Sequence, residues 1–472
     1  MKTKLLVIFL FGISYNFISG QIKVANILGD NMVLQRNSEV KIWGKAKAGQ
    51  KLIVASEWNK MKVTATSDVN GNWIAKLKTT EAGGPYIISI TSGKEKITLR
   101  NILLGEVWLC SGQSNMEMPM AEYADQPVNG ANDELVNAIH NDIRLFTVCR
   151  NPQSTIQDTC NGEWTEANAE NVAIFSAVGY FFAKQLQQRL NVPVGMICSS
   201  WGGTSIEAWM SEEVVSKFGE AYKHATKPEI KLQNKASYLF NGMIAPLLNY
   251  TIKGAIWYQG ESNIRNYKDY ANLQTAMVKD WRMHFRVGEF PFYYVQIAPF
   301  GYYNNSTKTS SALLRDEQLK AMTLIPNSGM VCTIDVGEEY CIHPAEKQTV
   351  GKRLSYWALA ETYMLKGFSY KSPTFNAMTV RDSVATISFN DAPTGLTSFG
   401  KSVDCFQIAG NDSIFYPAKA IIKDKKVEIK SSSVKSPVAV RYAFSNFPVT
   451  EGYIYNTAGI PIPSFRTDNW NK

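Results

Sequence analysis

The sequence predicts an α/β protein whose parallel sheet is covered by helices on both faces, with a β region flanking it at each end. Three observations carry this. Before residue 105 short apolar runs alternate and are punctuated by turns; from 105 to 367 apolar strands alternate with helical stretches; after 367 the helices cease and strands return. The chain has 472 residues, 45% of them hydrophobic, and a single core stops growing near roughly 250–300 residues, so more than one packed unit is expected. The units expected are residues 21–104, 105–367 and 368–472, preceded by a leader over 1–20.

The leader carries Lys2 and Lys4, an apolar stretch over residues 5–13, and a weaker run ending Ser19-Gly20-Gln21. That is the pattern of a secretory signal peptide. Its apolar part is shorter than the ~20 residues a membrane span needs, no later segment qualifies, and no cysteine near the cleavage point offers a lipid anchor. The expected location is the periplasm, or outside the cell, of a bacterium.

In the first β region the runs 39–43, 51–54, 62–64, 73–77 and 86–90 alternate apolar and polar residues, separated by turns such as Asn70-Gly71-Asn72 and Gly83-Gly84-Pro85. Period two with such punctuation predicts a small antiparallel β-sandwich. The central unit opens with the strand Val107-Trp108-Leu109-Cys110, which runs into Ser111-Gly112-Gln113-Ser114. A helix is predicted over 172–190, with Lys184 and Gln185 on its polar side, and another over 272–285. Further strands are predicted at 192–199, 255–258, 293–297 and 330–334. Strands alternating with helices form parallel sheets covered on both faces, and active sites lie beyond the carboxyl ends of such strands. The last unit reads as strands at 385–389, 413–416, 426–430 and 438–442, sandwich-like.

Composition excludes several classes. Charged residues make up 19% and aromatics 12%, far from the make-up of disordered chains. The net charge of +8 is spread along the chain, with only short clusters such as Lys423, Lys425 and Lys426, so no nucleic-acid stripe is present. Seven cysteines include no C-x-x-C pair and no His-Cys cluster of zinc-ligand spacing, so neither metal nor cofactor is expected. Cys149 and Cys160 are a candidate pair in an oxidising compartment; most of the others read as buried thiols.

Ser114 lies just beyond a hydrophobic strand on a turn containing Gly112, where a hydroxyl projects at the rim of the sheet; a helix cap is the ordinary alternative. A serine nucleophile needs a base. Of His140, His224, His284 and His343, only His343 lies on a loop after a strand, following Ile334-Asp335 and preceding Pro344, where it can face a nucleophile on another such loop. Acyl transfer also needs donors for the oxyanion. Gly202-Gly203-Thr204 offers backbone N–H groups, and Trp257-Tyr258-Gln259-Gly260-Glu261-Ser262-Asn263 offers side-chain amides, each after a strand of the same sheet.

Four motifs in order, Gly112-Gln113-Ser114-Asn115-Met116-Glu117, Gly202-Gly203-Thr204-Ser205-Ile206-Glu207-Ala208-Trp209, residues 257–263, and Ile342-His343-Pro344, together resemble the sialate O-acetylesterase family, a group of SGNH hydrolases related to carbohydrate acetyl esterases. The resemblance covers nearly the whole mature chain, including Met32-Val33-Leu34-Gln35-Arg36 and Arg466-Thr467-Asp468. It implies an SGNH-type three-layer fold, Ser114 as nucleophile, His343 as base, and oxyanion donors from the Ser114 and Gly203 N–H groups and an amide of the 259–263 loop, where Gln259, Glu261 and Asn263 are the candidate oxyanion- or substrate-binding residues. The implied substrate is an O-acetylated sugar, first of all a sialic acid; acetylated xylan or another glycan is the alternative, and a non-catalytic glycan-binding protein the rival outside enzymes.

The chain departs from the family pattern at one place. Many members carry Asp two residues before the histidine, and SGNH enzymes often have one three before; here these are Cys341 and Tyr340. Either Asp335, Glu338 or Glu339 orients the ring, or a backbone carbonyl does and the site is a Ser-His dyad. An unperturbed imidazole places the acid limb of the rate near pH ~6.5.

Overall fold

The structure, a computed structural model, describes residues 21–303 and 307–470. The expected leader lies outside the described residues. The main sheet of the central unit runs in the order Trp164–Asn168, Ile139–Thr147, Val194–Ser200, Glu95–Gly112, Gly254–Tyr258, Phe292–Val295, Ser328–Val331. All neighbours are parallel except the first pair. The strand in the middle is 18 residues long. Its first part pairs with Gly83–Ser92 of the amino-terminal β region and its last part with Val194–Ser200 and Gly254–Tyr258. One strand therefore serves both units and crosses the junction expected at 104–105.

Because side chains alternate across a strand, this strand feeds two cores. Trp108 and Cys110 join a cluster with Val178, Phe182 and Leu186 of the helix Ala177–Leu190 and with Val350, Leu354 and Trp357 of the helix Lys347–Trp357. Val107 and Leu109 join the other cluster, which takes in Met277, Trp281 and Phe285 of the helix Tyr270–Phe285 and Leu314 and Ala321 of the helix Ser310–Leu324. Helix Ala177–Leu190 starts where Ser176 Oγ accepts the Gly179 N–H at 3.0 Å and stops at Asn191 in the left-handed conformation. The predicted start at 172 therefore merged two helices, Ala169–Ala173 and Ala177–Leu190, that Ser176 separates.

The amino-terminal region is two small sheets. One holds Lys23–Val24, Glu39–Lys45 and Asn72–Lys78; the other holds Lys51–Ser56, Lys62–Thr66 and Gly83–Ser92 with the long strand. Their inward residues, among them Ile42, Val54, Trp73 and Ile90, meet in the same cluster as Val107 and Leu109. After residue 373 a seven-stranded antiparallel sheet closes on a core of Ile387, Ile408, Val427, Ile429 and Phe465, which Cys332 and Ile334 of the central unit join.

The two terminal motifs tie these regions to the centre. Gln35 Oε1 accepts the Val107 N–H at 2.9 Å, and Arg36 pairs with the buried Glu106 at 2.6 Å. Arg466 pairs with Asp316 at 2.8 Å, and Asp468 receives Arg441 at 2.7 Å. All seven cysteines, Cys149 and Cys160 included, are free thiols. No helix among the described residues is long and apolar enough to cross a membrane.

Candidate active site

Three loops leave the carboxyl ends of adjacent central strands, and glycine sets how closely they approach. Gly112 has φ +136°, and a Cβ there would fall 2.1 Å from the Tyr258 carbonyl oxygen, so no other residue fits. Gln113 follows. Its N–H donates to Tyr258 O at 3.0 Å, and its Oε1 accepts the Gly260 and Ser262 N–H groups at 3.2 and 3.3 Å. Ser114 then opens the one-turn helix Ser114–Glu117. As the first residue of that turn its N–H has no intrahelical acceptor. Among the described residues neither that N–H nor the Ser114 hydroxyl has a hydrogen-bond partner.

The second loop is pressed against this turn. A Cβ on Gly202 would lie 3.2 Å from Ser114 Cβ, and the Gly202 N–H donates to Glu117 Oε2 at 2.8 Å. Glu117 is itself fixed by Arg150 at 2.6 Å and by the Tyr123 hydroxyl at 3.3 Å. Gly203 takes φ +70° beside open space, and its N–H donates to nothing among the described residues.

The third loop separates the candidate amides. Gln259 is fully buried and both hydrogens of its Nε2 are spent, on Thr204 O at 3.0 Å and Asn263 Oδ1 at 2.7 Å. Asn263 gives one Nδ2 hydrogen to Glu207 at 3.0 Å and keeps the other unspent. Its Oδ1 accepts the Ile206 N–H at 3.1 Å, which fixes the amide's direction. A cleft of about 440 Å³ is lined by Gly203, Glu207, His224, Asn263 and Arg265. Glu261 turns inward: Oε1 accepts from Asn115 Nδ2 at 2.6 Å, Oε2 is buried without a partner, and burial raises its pKa. The expectation that Gln259 and Glu261 face substrate therefore gives way to structural roles, because their polar atoms are consumed or enclosed inside the protein.

His343 is held beside the Ser114 turn through its neighbour. Asn115 Nδ2 also donates to the Ile342 carbonyl at 3.0 Å, and the buried Lys347 donates to Asn115 Oδ1 at 2.5 Å. Burial lowers the Lys347 pKa to about 7 against the pull of Glu261. The His343 ring lies edge-on to Tyr123, with centroids 5.3 Å apart, and its Nδ1 is hydrogen-bonded to Gln126 Oε1. Burial, and then the charge on Lys347, push the imidazole down to about 4. That displaces the acid limb expected near the unperturbed histidine value. His343 and Ser114 are not hydrogen-bonded to each other, which is common before substrate tightens such a site.

None of the three acids considered as orienting groups touches the ring. Asp335 is committed to Arg353 through two bonds of 2.7 Å, Glu338 accepts the Ala345 N–H at 3.0 Å, and Glu339 receives the Tyr303 hydroxyl. Asp335 in particular is corrected: it caps no imidazole but neutralises a guanidinium that also bonds the Cys332 carbonyl. Gln126, Asn115, Glu117 and Lys347 were not legible as site residues. The other histidines sit elsewhere: His284 Nδ1 contacts the Asp280 carbonyl at 2.9 Å, His140 lies against Tyr180, and His224 lines the cleft beside Gly203.

Comparison with known proteins adds the decisive observation: the model of the family described as "Carbohydrate esterase, sialic acid-specific acetylesterase" matches residues 104–359. The chain belongs to that family. The sialate O-acetylesterase of Homo sapiens is 33% identical, with 74% of this chain and 73% of the human protein covered. That of Mus musculus is 28% identical over 94% of each. Among solved structures, a chain described as a novel carbohydrate acetylesterase from Xanthomonas citri superposes with a TM-score of 0.87 at 33% identity, covering 95% of this chain and all of that one. As a member of the sialic acid-specific acetylesterase family, the protein is a carboxylic ester hydrolase with a mixed α/β fold.

Proposed function

We propose that the protein is a secreted or periplasmic sialate O-acetylesterase, working by a Ser-His acyl-enzyme mechanism on an SGNH-type three-layer fold. His343 takes the proton of Ser114 as the hydroxyl attacks the acetyl carbonyl. The tetrahedral oxyanion is met by the Ser114 and Gly203 N–H groups and the free hydrogen of Asn263 Nδ2. As the intermediate collapses, His343 returns the proton to the departing sugar oxygen. Water, activated by the same imidazole, then attacks the acetyl-enzyme, and acetate leaves.

The observation that carries this reading is the set of three unspent N–H donors on the loops around a serine hydroxyl with no partner of its own. Buried or crowded N–H groups are normally satisfied, and donors left free on loops beside the serine, two of them on residues that line one cleft, suit a charge that develops only in the transition state. The sialic acid assignment is supported by the names of the family and of the mammalian relatives. Acetate release from O-acetylated sialic acids, measured against acetylated xylo-oligosaccharides, tests it. The reading requires the higher kcat/KM on the sialic acids. A preference for the xylo-oligosaccharides would reject the substrate, and failure of a fluorophosphonate to label Ser114 would reject the chemistry.

A further inference from the structure

Cys341 stands two residues before His343, and its thiol donates to the His343 carbonyl at 3.1 Å instead of reaching the ring. The ring nitrogen that a carboxylate would hold, Nδ1, is bonded by Gln126 from the 121–127 loop. An amide oxygen can only accept, so this contact places the imidazole hydrogen on Nδ1 and leaves the lone pair on Nε2. That is the tautomer a general base requires. The opposite tautomer, with hydrogen on Nε2, could not take the serine proton, and control of this choice is the main service of the triad aspartate.

We propose that Gln126 is the positioning residue for His343, an amide doing the work of the absent aspartate, so that the site is a Ser114-His343-Gln126 relay rather than a dyad. This rests on the reading of Ser114 and His343 as nucleophile and base. The exchange has a chemical consequence. A carboxylate both orients the ring and stabilises the imidazolium that forms; an amide orients it and supplies no charge. The surroundings do not make up the difference. Lys347, four residues on, is a buried cation. Glu261 bonds Asn115, Glu117 bonds Arg150, the Gly202 N–H and the Tyr123 hydroxyl, Glu338 bonds a backbone N–H, and the Cys341 thiol bonds the His343 carbonyl and lies 3.8 Å from Gln126 Oε1. Among the described residues no carboxylate is hydrogen-bonded to the imidazole. The base is therefore weakly basic and stays neutral well into the acid range, in keeping with the depressed pKa of the ring.

The test is the pH profile of kcat for wild type, Gln126→Ala and Gln126→Glu, with melting temperature recorded for each. Gln126 is half-exposed on a loop, so both variants are expected to fold. Gln126→Ala should lose roughly tenfold or more in kcat with KM within about twofold, because the tautomer is no longer selected. Gln126→Glu should keep turnover and move the acid limb upward by about one pH unit or more, since a carboxylate on Nδ1 favours the protonated ring. A purely structural glutamine would not move that limb. Turnover of Gln126→Ala within threefold of wild type, or an acid limb of Gln126→Glu that coincides with wild type, overturns the proposal. Wild-type turnover in His343→Ala overturns the base assignment beneath it, and that outcome is distinct because Ser114 labelling would then persist without the ring.

Discussion

The ammonium of Lys347 lies 2.5 Å from Oδ1 of Asn115, so the residue behind the nucleophile is gripped by a buried cation from the helix that follows His343. Through the same amide Asn115 reaches Glu261 and the Ile342 carbonyl. One asparagine thus fixes the spacing of three loops.

Replacing Lys347 by Met should leave Asn115 Oδ1 unpaired in the core, at a cost of about 1–3 kcal/mol, and loosen the His343 loop. The pH dependence carries its own sign. In the native protein Lys347 releases its proton near 7, while the unfolded chain holds it to about 10.5. Between those values the unfolded state carries the extra proton, so this group makes folding more favourable as pH rises. The melting-temperature gap of wild type over Lys347→Met should widen from pH 7 to pH 10; a constant gap would contradict it.

Ser114→Ala should abolish acetate release, by roughly 10⁴–10⁶ in turnover, with the melting temperature unchanged. The hydroxyl makes no hydrogen bond among the described residues, so its removal costs the fold nothing. More than about a tenth of wild-type turnover would remove it from the mechanism.

Activity should persist into acid. The working form of His343 is neutral, and a native pKa of about 4 keeps it neutral down to that pH, so the rate should fall only below it. A limb near 6 in the pH profile of kcat/KM would show that the ring is solvated. His343→Ala should be inactive, whereas alanine at His140, His224 or His284 should retain turnover.

Asp335→Asn separates stability from catalysis. It leaves the Arg353 guanidinium buried without its carboxylate, a change that costs about 3–5 kcal/mol where a buried pair loses one partner. A lowered melting temperature is expected, with turnover of the folded enzyme within a few-fold of wild type. A hundredfold fall in kcat at unchanged stability would return Asp335 to the site.

The sequence made the central strands, the Ser114 turn and the three loops legible, because these depend on local signals: apolar runs that end in glycine at a strand terminus. Helix Ser310–Leu324 escaped notice because its inward face mixes Ser311, Arg315 and Gln318 with Ala312, Leu314 and Ala321. Arg315 is fully buried there, bonded to Ser311 and Ser464 at 3.2 Å, with Gln318 beside it, so no apolar period marks the helix. The inward helix Lys347–Trp357 is hidden likewise by Lys347, Gly351 and Ser355 on its buried face. Gln126 carried no signal at all. It lies 217 residues from His343, in a polar loop, and only folding brings them together. Of the acids that precede His343 in sequence, Asp335 is turned by folding toward Arg353.

The strand Glu95–Gly112 also bears on how the molecule comes apart. Its early residues are hydrogen-bonded into the amino-terminal sheet and its last residue is followed by the nucleophile turn, so the two regions share a backbone ladder rather than a linker. Neither can fray without pulling on the other, and the amino-terminal β region should melt in one cooperative step with the catalytic sheet. Its stability is then transmitted along a single chain segment to the serine, which makes a region far from the chemistry a determinant of how long the enzyme survives heat.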